Sequence, residues 1–143
     1  MTARAGNRGV TVLVVDDQRV FRQVAREVID ATPSFELSGE ASCGAEALAA
    51  ADALEPDLVL MDVRMPDMDG IETATALTAA HPEVVVVLIS VEEPPNIPRG
   101  AGTCGAAELV RKRDFGPALL RRLWTAHGAA KRRAGSPHPA RFS

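Results

Sequence analysis

The sequence predicts an α/β fold built on one parallel sheet of five strands with helices on both faces. Short apolar runs alternate along the chain with segments of helical periodicity, which is the pattern of repeated strand–helix units. The runs at residues 12–15 and 58–61 are apolar throughout, as expected for strands that are buried on both faces. With 143 residues, of which 46% are hydrophobic and 24% charged, the chain suits a single globular domain.

The first two strand–helix units are predicted at residues 10–15 and 18–31, and at residues 35–41 and 45–54. Residues 1–9 carry no apolar pattern, so we predict a disordered tail there. Val20, Phe21 and Val24 recur at helical spacing, and Pro33 ends the helix that they indicate. The second helix is indicated by its many alanines and leucines, which favour helix.

The next segment holds predicted strands at residues 57–62 and 84–90, with a helix at residues 69–80 between them. The loop before this helix reads Pro-Asp-Met-Asp-Gly, a composition typical of turns. Asp69 is suited to begin the helix, and Pro82 follows its end. The second of these strands is the most apolar in the chain.

The element between the fourth and fifth strands is predicted to be a short helix or a loop. Residues 91–105 contain Pro98 and several glycines, and inside a helix a proline costs about 3 kcal/mol and a glycine about 1 kcal/mol. A short fifth strand is predicted at residues 107–111. The last helix is predicted to begin at Asp114, acting as its cap, and to end near His127.

The composition argues against several classes of protein. The net charge of −3 disfavours general nucleic-acid binding, and no segment has the ~20 apolar residues of a membrane span. The chain begins without the apolar core of a signal peptide, and Cys43 and Cys104 are too few for a disulfide framework. We therefore expect a cytoplasmic protein with no membrane contact, folded over residues 10–128 and followed by a basic, disordered tail at residues 129–143.

Carboxylates lie where the predicted sheet would bring them together. Asp16 and Asp17 follow the first strand, and Asp62 ends the third. The C-terminal ends of parallel strands form the edge at which open α/β sheets bind ligands. Because acids crowded at one edge repel one another, we expect the site to attract a hard divalent cation.

Together with Ser90, Lys112 and the segment 62–70, these acids resemble the receiver domain of two-component response regulators, over roughly residues 10–127. The resemblance implies a flavodoxin-like, doubly wound sheet of five parallel strands in the order 2-1-3-4-5. It also implies a phosphoprotein that takes part in phosphorelay signal transduction.

The resemblance further implies a role for each matching residue. Asp62 would accept a phosphoryl group as an acyl phosphate, Lys112 would pair first with Asp62 and then with a phosphate oxygen, and the Ser90 hydroxyl would donate to another phosphate oxygen. Mg²⁺ would be held by oxygen donors from Asp17, Asp62, the backbone carbonyl of Arg64 and, through water, Asp16.

Taken singly, these residues have simpler explanations. The Asp16–Asp17 pair resembles a helix cap, Asp62 a turn former and Ser90 the end of a strand, and Lys112 lies in a basic run of the kind usually found on a solvated surface. Only the joint pattern favours the phosphoryl site.

The chain also departs from the family. Leu109 stands where relatives carry Tyr or Phe, Arg113 replaces a proline that often follows a cis peptide, and Val91 is bulkier than the usual Ala or Gly and would slow phosphoryl exchange and loss. Without a proline the peptide is expected to be trans, since a cis bond would cost about 2.5–4 kcal/mol. The loop at residues 91–105 either switches with phosphorylation or is static, stiffened by its prolines.

The sequence thus predicts a stand-alone receiver without a DNA-binding domain. It would be phosphorylated by a sensor histidine kinase, and would act on an unknown downstream protein or phosphotransfer partner, with a homodimer left open. A phosphorylation-independent binding or scaffold module is the alternative. A true phosphotransferase or hydrolase is disfavoured, because Arg64 stands where such enzymes usually have a second catalytic acid. The chain is therefore not expected to be an enzyme beyond its own phosphorylation and dephosphorylation.

Overall fold

A computed structural model describes residues 9–91 and 100–135 of the chain, with backbone only for residues 130–135. Its five strands form one parallel sheet in the order β2-β1-β3-β4-β5. The strands are β1 (Val10–Val15), β2 (Phe35–Ala41), β3 (Leu58–Asp62), β4 (Val85–Ser90) and β5 (Glu108–Arg111). The helices are α1 (Arg19–Ala31), α2 (Gly44–Leu54), α3 (Gly70–Ala80) and α4 (Pro117–Gly135). The predicted fold class and strand order are confirmed.

The sheet separates two apolar cores, because successive side chains of a strand point to opposite faces. In β1, Val12 and Val14 belong to one core, whereas Leu13 and Val15 belong to the other. Every residue of β3 and β4 is buried, which explains why both strands read as continuous apolar runs. No helix in the described part of the chain is long and apolar enough to span a bilayer.

The segment before β5 contains no helix among its described residues. Residues 100–105 form turns and bends, with positive φ at Gly100 and Gly105, and Cys104 is buried against the second core. The hydroxyl of Thr78 donates to the Cys104 carbonyl at 3.4 Å, so this segment packs on α3. Residues 91 and 100–105 thus agree with the prediction of a short helix or a loop, while residues 92–99 lie outside the described residues.

Two predictions about the C-terminal part were wrong. Asp114 does not cap the last helix, because residues Lys112–Asp114 form a 3₁₀ turn of their own and the helix begins only at Pro117. The helix does not end near His127 but continues to Gly135, so the predicted tail is helical in its first half. Alanine, lysine and arginine in this stretch are good helix formers, which explains the continuation. The remaining tail and residues 1–8 lie outside the described residues.

Candidate functional site

The three predicted acids meet at the C-terminal edge of the sheet. One carboxylate oxygen from each of Asp16, Asp17 and Asp62 lies within 4.8 Å of the others. The register between β1 and β3 pairs Val15 with Met61, so the two acids that follow stand at adjacent strand tips. Asp16 is fully buried and Asp62 nearly so, whereas Asp17 faces solvent. The cluster therefore has one open side.

Lys112 supplies the positive charge of the site. Its Nζ lies 2.6 Å from Oδ2 of Asp16 and 3.4 Å from Oδ2 of Asp62, and it also donates to Oε1 of Gln18 at 3.4 Å. The lysine side chain is only 11% exposed. With three carboxylates and one ammonium, the cluster carries a net charge of −2 when all four groups are ionised.

The charge balance changes the acidity of Asp62. Burial, followed by the nearby carboxylate of Asp16, raises the pKa of Asp62 to about 6, while the ammonium of Lys112 acts in the opposite direction. The backbone N–H of Arg64 donates to Oδ1 of Asp62 at 3.3 Å and also favours the ionised form. Asp62 is therefore a carboxylate that would gain from a cation beside it.

The carboxylate oxygens of the cluster suit a metal ion and its bound water. Oδ2 of Asp16 is buried and, despite its closeness to Lys112, has no hydrogen bond in the described part of the chain. Its partner Oδ1 is already engaged, since it accepts from the backbone N–H of Gln18 at 2.8 Å. Carboxylate oxygens are donors that Mg²⁺ prefers, and the ionised cluster keeps a net charge of −2 beside Lys112. These residues therefore fit the expected ion.

A cavity of about 240 Å³ opens over the acids. It is lined by Asp17, Gln18, Asp62, Arg64, Ser90, Val91 and Lys112. Ser90 is only 2% exposed, whereas the neighbouring Val91 is 72% exposed. The structure thus brings together every site residue that the sequence singled out, with Asp16 beneath the exposed groups.

The loop that follows Asp62 is held at both ends. Gly70 N donates to the Val63 carbonyl at 2.7 Å, and a Cβ at position 70 would lie 2.2 Å from the backbone oxygen of Asp62. Asp69 caps α3 by accepting from Glu72 N at 2.8 Å. The glycine thus permits a close approach that no other residue type would allow.

Asp67 ties the same loop to α2. Its two carboxylate oxygens accept from Gly44 N at 2.8 Å and Ala45 N at 3.0 Å, at the start of that helix. These two hydrogen bonds lower the pKa of Asp67 to about 2. Sequence reasoning identified the loop by its turn composition but not this contact, which joins segments distant along the chain.

Sequence reasoning also missed the surroundings of Lys112. The ammonium lies 4.8 Å from the centroid of the Phe21 ring, and Phe21 in turn meets Phe115. Helical spacing indicated only that Phe21 packs in the core. Of the departures, Leu109 is half-buried and packs against the second core, and the peptide before Arg113 is trans, because no described peptide bond is cis.

Comparison with known proteins agrees with this geometry. Residues 12–123 match the family model described as "Response regulator receiver domain". The response regulator domain of CheB from Thermotoga maritima has a solved structure that is 32% identical, with a TM-score of 0.74, over 83% of this chain and 96% of that one.

Curated relatives point the same way. Protein-glutamate methylesterase/protein-glutamine glutaminase 5 of Myxococcus xanthus is 36% identical over 92% of this chain and 40% of its own length. Response regulator GacA of Pseudomonas aeruginosa is 35% identical over 72% of this chain and 48% of its own length. The chain therefore spans less than half of these curated relatives.

Proposed function

The chain belongs to the response regulator receiver domain family, and from this premise we propose that it signals by accepting a phosphoryl group on Asp62 from a sensor histidine kinase. The observation that carries the proposal is the position of Asp62. It is a nearly buried carboxylate, flanked by two further acids and a lysine, and it lines an open cavity. A turn former or a strand terminator would need none of these neighbours.

The reaction requires little from the protein except positioning and charge. A carboxylate oxygen of Asp62 attacks the phosphorus of a phosphohistidine, the phosphorus–nitrogen bond breaks, and its electron pair stays on the imidazole nitrogen. The product is an acyl phosphate, and Asp62 exchanges no proton in this step when it reacts as the carboxylate.

Charge neutralisation comes from the residues around the cavity. Lys112, which contacts Asp62 at 3.4 Å, would pair with a phosphate oxygen, and the Ser90 hydroxyl would donate to another. Asp17, Asp62 and the backbone carbonyl of Arg64 would hold Mg²⁺, with Asp16 acting through water. Bound there, the ion would neutralise the charge that gathers on the transferred group.

The phosphorylated protein would act in the cytoplasm by contact with a downstream protein, or would pass the group to a phosphotransfer partner. It would bind such partners as a monomer or as a homodimer. We propose no membrane or nucleic-acid contact and no enzymatic turnover beyond its own phosphorylation and dephosphorylation. The methylesterase activity named for several relatives is not extended to this chain, since the match covers less than half of their length.

A second candidate function is a binding module that works without phosphorylation. Leu109, half-buried against the second core, favours it, because a leucine at this position has no ring or hydroxyl with which to follow a bound phosphate. The retained acids and Lys112 count against it. The two functions differ in one measurable property, the covalent state of Asp62.

The test is exposure of the protein to acetyl phosphate with and without Mg²⁺, followed by intact-mass measurement. We expect one added phosphoryl group that requires Mg²⁺ and is lost in Asp62→Asn. Asp30→Asn, an exposed acid on α1, is the matched control and should be phosphorylated like the wild type. Absence of the adduct in the folded wild-type protein would favour the binding module.

A further inference from the structure

The position of the Lys112 ammonium is determined by several neighbouring groups. Two carboxylates attract the ammonium from the sheet edge, Asp16 at 2.6 Å and Asp62 at 3.4 Å. The backbone gives limited support, because β5 is a strand of only four residues and the turn after it lacks the proline that would stiffen it. A contact on the side away from the acids would therefore restrain the ammonium further.

The Phe21 ring provides that contact. Nζ of Lys112 lies 4.8 Å from the ring centroid, within the range in which an ammonium is attracted to the face of an aromatic ring. Phe21 is only 9% exposed and packs in the first core, so the ring has a fixed position. The lysine is only 11% exposed, which weakens the competition from water.

A second ring joins Phe21 to the turn that carries the lysine. The rings of Phe21 and Phe115 lie 6.0 Å apart, tilted by 51°, in the geometry that aromatic pairs favour. Phe115 N donates to the Lys112 carbonyl at 3.1 Å. The ammonium of Lys112 thus contacts Phe21, Phe21 contacts Phe115, and Phe115 is hydrogen-bonded to the backbone of Lys112.

We infer that Phe21 is a positioning residue for Lys112. Its ring holds the ammonium at a place from which the ammonium contacts Asp62 and reaches an incoming phosphate oxygen. The inference rests on the proposed function for its consequence, but its geometry concerns the unphosphorylated protein. Without the ring, the ammonium would be held only by Asp16, Asp62 and Gln18, and its position would vary among these three partners.

The experiment compares Phe21→Leu with Phe35→Leu. Phe35 packs against the same core and pairs with Val10 at the opposite end of the sheet, so its replacement removes similar apolar volume far from the lysine. In the wild type, the ε-methylene protons of Lys112, next to Nζ, should resonate upfield because of the ring current. We expect this shift to disappear in Phe21→Leu and to persist in Phe35→Leu. Phe21→Met takes the place of a Phe21→Leu protein that does not fold.

Two further measurements separate positioning from general damage. At saturating Mg²⁺, the rate of phosphorylation by acetyl phosphate should fall in Phe21→Leu by a factor between about 2 and 30, as expected for loss of one cation–π contact. Mg²⁺ affinity, measured by calorimetry, should be unchanged or higher, because the ring contacts Lys112 and Phe115, and a loosely held ammonium neutralises the acids less. Phe35→Leu should change neither quantity.

An unchanged lysine resonance in Phe21→Leu would overturn the inference. So would a loss of Mg²⁺ affinity parallel to the loss of rate, since this would mean that the ring supports the acids and not the lysine. Failure of the proposed function is distinguishable, because a wild-type protein that is not phosphorylated would still show the shifted resonance.

Discussion

Gly70 packs so closely on Asp62 that a Cβ at position 70 would lie 2.2 Å from the backbone oxygen of the acid and 2.9 Å from Cα of Val63. The residue that begins α3 thus also limits where the candidate phosphoacceptor lies. Because both close neighbours are backbone atoms, neither can yield by a change of rotamer.

Gly70→Ala is expected to destabilise the fold and to slow phosphorylation. Overpacking of this kind costs about 1–3 kcal/mol, and the strand end that carries Asp62 must move to relieve it. Urea unfolding and the rate with acetyl phosphate measure the two effects. Gly102→Ala is the control, because no described atom beyond the adjacent residues lies within 4 Å of the added Cβ. Equal stability of both variants would contradict the packing argument.

Asp62→Asn is expected to stabilise the protein at pH 7 in metal-free buffer. The pKa of Asp62 is raised from 3.8 to about 6, so the folded state binds more protons than the unfolded state between these values. The free energy of unfolding therefore falls as pH rises from 3.8 to about 6. The destabilisation by the buried Asp62 charge is fully present above that range. The gain at pH 7 should be about 3 kcal/mol, from a shift of roughly 2.2 pKa units at about 1.4 kcal/mol each, and should nearly vanish near pH 3.5.

Urea unfolding of wild type, Asp62→Asn and the control Asp30→Asn at both pH values measures this gain. A gain of equal size at both pH values would show that the buried charge is not its source. Addition of Mg²⁺ at pH 7 should stabilise the wild type more than Asp62→Asn, because the ion would relieve the same repulsion.

Asp67→Ala is expected to lower the melting temperature at pH 7 by a few degrees, because it removes two hydrogen bonds at the start of α2. The pKa of Asp67 is lowered to about 2, so its contribution is present above the ordinary value of 3.8 and is lost as pH falls through about 2. Thermal unfolding against the control Asp30→Ala tests this. A melting temperature equal to that of the control would mean that the cap contributes nothing.

Val91→Ala is expected to shorten the lifetime of phospho-Asp62. Val91 is 72% exposed and lines the cavity over Asp62. We expect its branched side chain to narrow the path of an attacking water. Intact mass followed over time after removal of the phosphodonor gives the lifetime. Val20→Ala, which removes an equally exposed valine from α1, should leave it unchanged. A wild-type lifetime of only seconds would contradict the idea of a narrowed opening.

The parts of the fold that follow from local patterns could be predicted from the sequence. Asp16 and Asp62 end apolar runs, and parallel pairing of such runs necessarily brings their ends together. The contacts of Asp67 with Gly44 and of Phe21 with Lys112 join segments far apart in the chain, and no local pattern encodes them.

The errors at the last helix have a different cause. The segment after His127 is rich in arginine, alanine, glycine and proline, a composition typical of a disordered tail, although alanine, lysine and arginine favour helix once packing has begun one. Gly128 lies inside this helix and is buried against Trp124, whose ring a Cβ would meet at 2.6 Å. A glycine is disfavoured within a helix by propensity, and here close packing explains its presence.

Main-chain hydrogen bonds hold β1 and β3 in the register that pairs Val15 with Met61, so the acids beyond them cannot relieve their repulsion by moving apart. Occupancy of the cluster by a cation is therefore linked to the folding equilibrium of the entire sheet. Free metal at one hundred times its Kd would add about 2.7 kcal/mol to the free energy of unfolding. The melting temperature of this protein should thus rise with the concentration of free Mg²⁺.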